Sequence, residues 1–113
     1  MADDDPRDLK IWKELQETTI IDIKNCPIVD VADYLSDLHG IPIYFDTEEF
    51  EKAGVVYDKL EFTQTLKGPP LWRVLRVTLG QDKLSFMIKH HTLTITTDEA
   101  AEDWQKKNIG VEK

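Results

Sequence analysis

Asp30, Asp33 and Asp37 are the set of side chains in this sequence best placed for shared chemistry. At ~100° per residue they fall within roughly 60° of one helix face, so their carboxylates form a single stripe. Hard divalent cations take carboxylate oxygens, and the stripe could hold such an ion or a small ligand. Cation sites usually add carbonyl ligands and a tight loop, neither of which this stretch contains. A solvated helix face is the plainer reading, and an acidic docking patch that steers a basic partner is a third.

Other reactive types are scattered. His90 and His91 are adjacent, so in extended chain they point to opposite faces and cannot chelate one ion together; they read as turn residues. His39 falls at a helix end, where the dipole favours an imidazolium, and reads as structural. Cys26 is the only cysteine, which rules out an intramolecular disulfide. It reads as a small buried hydrophobe, because a nucleophile needs a base and an electropositive setting that Asn25 and Pro27 do not supply. No Ser-His-Asp arrangement, HExxH sequence, phosphate-binding Gly-rich loop or GxxG loop is visible. The expectation is a protein that is not an enzyme and uses no cofactor.

Two sets of residues suggest contact with protein. Trp72, Arg73 and Arg76 lie together on a helical stretch, and Arg and Trp are enriched at interface hot spots. The plainer alternative is ordinary exposure of the arginines with Trp72 half in the core. Glu61, Thr63 and Thr65 flank a row of amides that a partner strand could extend if their strand is terminal in its sheet. The charges of Glu61 and Lys67 read equally well as protection of that edge.

The elements that must position these groups can be read from spacing. Asp5 and Pro6 form an N-cap and first helical residue, and Leu9, Trp12 and Leu15 with Ile11 give an apolar stripe, predicting an accessory helix in the segment 1–17. Thr18 to Lys24 is a strand with Ile21 and Ile23 on one face. Pro27 to Gly40 is a helix whose Ile28, Val31, Leu35 and Leu38 share a face. Ile41, Ile43 and Phe45 alternate as a strand, with Pro42 marking an edge or start. A solvated connection with one helical turn, 48–53, leads to the cleanest alternating strand, Leu60 to Lys67, ended by Gly68, Pro69 and Pro70.

Pro70 to Gly80 forms the second core helix. Leu71, Val74, Leu75 and Leu79, with Trp72 and Val77 at the flanks, span about 220°, implying contact on two sides. Leu84 to Lys89 and Thr92 to Thr96 form a hairpin with His90 and His91 at its tip, where His tolerates positive φ. Thr96 and Glu99 have capping-box spacing and Lys106 and Lys107 suit a helix end, giving a terminal helix over 97–107 that opens the C-terminal segment assigned to 98–113.

Length and composition agree with one domain. The chain has 113 residues, 41% hydrophobic and 32% charged, enough for a modest core that folds alone. A net charge of −8 disfavours nucleic acid as a partner. The first six residues lack an apolar run, so neither a signal peptide nor a membrane-inserting helix is expected. Strand, Pro-started helix ending in Gly, then strand occurs twice, so the fold class is α+β, with two βαβ-like units and a closing strand in the order β-α-β-β-α-β-β.

This order and three local sequences carry a resemblance. The stretches "IIDIKNCPIVDVADYLSDLHGIPIYFD", "LKGPPLWRVLRVTLG" and "LSFMIKHHTLTITT", within Ile20 to Thr97, resemble the secretin and TonB short N-terminal domain, also known as the secretin N0 domain. The likeness covers about two-thirds of the chain and places the domain at 18–97. It implies two central helices between a two-stranded and a three-stranded sheet. It also implies a docking module of an envelope-associated or exported protein, periplasmic in setting, although the residues themselves leave a cytoplasmic one open. The chain departs from the family in lacking an attached barrel, secretin ring domain or TonB box. A protein partner or self-association, through the acidic helix meeting Arg73 and Arg76, follows as the expectation.

Overall fold

Each of the two strand–helix–strand runs is divided between two sheets. In the computed structural model, which describes residues 5–108, β1 (Thr18–Pro27) pairs antiparallel with β3 (Glu61–Pro70). A second, three-stranded sheet has the order β2-β5-β4, with β2 (Ile43–Phe45) parallel to β5 (Thr92–Thr97), and β4 (Leu84–Lys89) antiparallel to it. The first strands of the two runs therefore pair with each other, while the strands that follow the helices build the other sheet. Helix α2 (Ile28–His39) touches β1 and β2, and α4 (Leu71–Leu79) touches β1, β3 and β4, so both lie between the sheets. This is the expected α+β architecture. Helices α1 (Pro6–Leu15) and α5 (Asp98–Asn108) flank it.

The core forms where the apolar faces meet. Ile21 and Phe62 from the small sheet, Ile28, Val31 and Leu35 from α2, and Leu71, Val74, Leu75 and Leu79 from α4 are all buried. Phe86, Leu93 and Ile95 close the core from the larger sheet. Ile11 and Leu15 of α1 belong to the same cluster, and Trp12 stacks on Trp104 of α5 with ring centroids 5.7 Å apart. Strand β5 is covered on both faces, because Thr94 and Thr96 are buried as well as Leu93 and Ile95.

Several expectations need correction, each for a physical reason. In α2 the inward place expected of Leu38 is taken by His39; Leu38 is 50% exposed and His39 only 6%. In α1, Leu9 is exposed and Asp8 is buried beside Ile11 and Leu15. In α4, Val77 is exposed and Thr78 is buried, which narrows the apolar sector. The helical turn expected at 48–53 is present as α3 (Thr47–Ala53), but the segment is not wholly solvated: its buried Phe50 stacks on Tyr57, and Tyr57 in turn on Phe45. Full burial of such a ring contributes about 1.5–3 kcal/mol, enough to fix a short helix.

Chain reversals follow backbone chemistry. Gly40 caps α2 at φ +65°, a left-handed conformation that glycine enters without steric cost. Gly80 does not cap α4 this way; the helix tightens into a 3₁₀ turn, Gly80–Asp82, and Lys83 takes the positive φ. Gly68, at φ +103°, bends β3 instead of ending it, and Thr18 still registers with Pro70 across the irregularity. His90 and His91 both have positive φ, as their place in a two-residue hairpin turn requires. At the last helix Thr97, not Thr96, accepts the capping N–H of Ala100, because the Thr96 hydroxyl donates to buried Asp46 within the core. Lys106 pairs with Glu102 at 3.4 Å, while the side chain of Lys107, like residues 1–4 and 109–113, lies outside the described part.

Candidate docking surface

The acidic stripe forms as expected. Asp30, Asp33 and Asp37 are all exposed on α2. Among the described residues, no group of three His, Cys, Asp or Glu side chains converges to hold a metal ion. What the sequence reading did not anticipate is the apolar company of the stripe. Tyr34 and Leu38, one helical turn apart, run beside it and are 42% and 50% exposed. The Tyr34 hydroxyl donates to the carbonyl oxygen of Ile20 at 2.8 Å, which ties α2 to β1. Ile20 itself is 55% exposed. Tyr34 and Leu38 thus form an apolar pair bordered by carboxylates on α2, with exposed Ile20 on the outer face of β1 and Val29 exposed on the other flank of the stripe.

Taking ~100° per residue, His39 and Leu38 lie almost equally far, on opposite sides, from the mean direction of Ile28, Val31 and Leu35, so spacing alone does not choose between them. Polarity argued against burying His39, but two partners satisfy it. Its Nδ1 meets Glu14 Oε1 at 2.8 Å and its Nε2 meets the Thr19 hydroxyl at 2.9 Å. With Nδ1 donating to the carboxylate, Nε2 faces the Thr19 hydroxyl, whose proton is shared with the Glu17 carbonyl oxygen 3.4 Å away. Hydroxyl, imidazole and carboxylate thereby line up as in a nucleophilic relay, an order hidden in the sequence because the three groups come from β1, α2 and α1. Thr19 is buried, so the arrangement joins three elements and presents no hydroxyl to a substrate.

The other sequence candidates fall into separate places. Arg73 and Arg76 are exposed on α4, and Trp72 is half-buried against the core, in keeping with the plainer reading of that residue. Glu61, Thr63 and Thr65 are exposed on β3. Their strand is terminal in its sheet, but the carbonyl of Thr63 accepts from Gln81 Nε2 at 3.2 Å and the N–H of Thr65 donates to Gln64 Oε1 at 3.0 Å. The edge amides that a partner strand would use are thus partly occupied. Across the pair, Thr65 donates to Asp22 and the Thr63 hydroxyl accepts from the N–H of Asn25.

Cys26 ends up between two of these sets. Burial, followed by the carboxylates of Asp30 and Glu61, pushes its thiol above the ordinary range, the reverse of what nucleophilic activation requires. The two hairpin histidines diverge. His91 Nδ1 lies 3.1 Å from Asp8 Oδ1 and 3.7 Å from Asp5 Oδ2, so it engages α1. His90 lines an open groove of about 220 Å³ with Tyr44, Lys89 and Thr94.

No family model, no curated protein and no solved structure matches the chain. Among the described residues no helix is long and apolar enough to cross a membrane.

Proposed function

We propose that the chain is a non-enzymatic protein-docking domain of an envelope-associated or exported protein, akin to the short N-terminal domains of secretins and TonB-dependent receptors. One observation carries the docking role: exposed Tyr34 and Leu38 lie beside Asp30, Asp33 and Asp37 on α2. Removing such a pair from water on binding supplies affinity, and the adjoining carboxylates supply orientation and partner choice. The relation to the short N-terminal domains is supported by the order of elements and by two helices lying between a two-stranded and a three-stranded sheet. The domain works by surface complementarity and needs no cofactor.

Affinity capture from envelope extract of the source cells tests this role. A specific partner recovered by the wild type, lost with Tyr34→Lys and Leu38→Lys, and kept with Glu102→Gln supports it. Equal recovery by all of these proteins contradicts it.

A further inference from the structure

The exposed faces of the two central helices are opposite in charge and alike in build. On α2, Asp30, Asp33 and Asp37 adjoin Tyr34 and Leu38. On α4, Arg73 and Arg76 adjoin exposed Val77, with half-buried Trp72 on the flank. Among the described residues none of these five charged side chains takes part in an ion pair. Each face is therefore a small charged and apolar surface whose complement lies elsewhere on the same chain.

We infer that the partner of the α2 face is the α4 face of a second copy. This rests on the docking reading and names its occupant. The paired surfaces differ, so the contact is heterologous: every protomer in a pair keeps one unused face of each kind, and assembly continues into a ring or filament. Facing charges set approach and register, while Tyr34 and Leu38 against Val77 and Trp72 exclude water.

The whole-chain charge of −8 repels a second copy at long range. A Debye length of about 10 Å at 0.1 M salt screens that repulsion and leaves the short contacts in place. Association therefore strengthens from very low salt to about 0.1 M and weakens again toward about 1 M.

Sedimentation velocity of the full chain, at concentrations up to about 1 mM, tests the pairing. The wild type is expected to show concentration-dependent species larger than a monomer, strongest at intermediate salt. Asp33→Asn with Asp37→Asn, and Arg73→Gln with Arg76→Gln, each weaken association about tenfold, the combined loss of two exposed charge pairs. An equal mixture of the two double variants recovers a dimer and nothing larger, because only one intact pair of faces remains. A wild type that stays monomeric at every salt and concentration overturns the inference, as does a basic-face variant that associates like the wild type. A monomer whose Leu38-dependent capture of another protein persists overturns self-pairing alone. Failure of both assays removes the docking reading too.

Discussion

The imidazole of His39, at the last residue of α2, bridges Glu14 of α1 and Thr19 of β1, with contacts of 2.8 and 2.9 Å. Three consecutive elements are thereby joined through one buried side chain. His39→Ala removes a fully satisfied group and leaves the buried Thr19 hydroxyl only its 3.4 Å bond to the Glu17 carbonyl, so a loss of about 2–4 kcal/mol is expected in urea unfolding. Glu14→Gln, which keeps an acceptor for the ring, costs less. A double-mutant cycle on the two positions should give a coupling of about 1 kcal/mol, and additive effects would show that the pair does not communicate.

Thr78 supplies the opposite case. Its hydroxyl is buried in α4 and has no hydrogen-bond partner among the described residues. Thr78→Val keeps the shape and removes the unpaired oxygen, so urea unfolding should show a gain of about 1 kcal/mol. A loss of stability would mean that the hydroxyl is satisfied.

Cys26 is expected to react slowly with iodoacetamide. Its thiol is held in the neutral form by burial, then by Asp30 and Glu61, so the thiolate fraction near pH 8 is below that of an unfolded peptide. The gap should narrow as pH rises past the ordinary thiol range. Asp30→Asn with Glu61→Gln should recover part of the rate. A Cys26 that alkylates faster than the peptide at pH 8 contradicts this setting.

Arg7 donates to both carboxylate oxygens of Asp5 and its N–H closes the cap of α1, which holds the Asp5 carboxyl well below the usual carboxylate range. A lowered folded-state value favours the folded state above the unfolded-state pKa, near 3.9, and that contribution fades as pH falls toward the folded value. In an NMR titration Asp5 should remain ionised at pH values where an aspartate in an unfolded peptide protonates. Protonation of Asp5 in step with such a peptide would show that the cap does not persist in solution.

Alternation and proline–glycine punctuation made most of the frame legible. Leu60 to Lys67 and the two hairpin strands follow a period of two, and Pro27, Gly40 and Pro70 mark helix ends where polypeptide geometry leaves few choices. What escaped was the side-chain content of particular faces. His39 and Asp8 are polar residues buried by partners far along the chain, and no local pattern reveals a partner. With His39 and Asp8 buried, Leu38 and Leu9 face outward, and Leu38 supplies the apolar half of the proposed docking surface. The acidic half was legible because Asp30, Asp33 and Asp37 need only helical spacing to share a face. Phe50 escaped because a single aromatic among charged residues has no periodicity until Tyr57 and Phe45 fold around it.

Site-specific photo-crosslinking tests the docking role most directly. A photoreactive side chain at position 34 or 38, in the full-length protein in its own cells, should give discrete protein adducts, whether with another copy or with a different partner. The same group at exposed position 102 on α5 should give none. Adducts equally abundant from all three positions, or absent at 34 and 38, would contradict a docking surface on this face of α2.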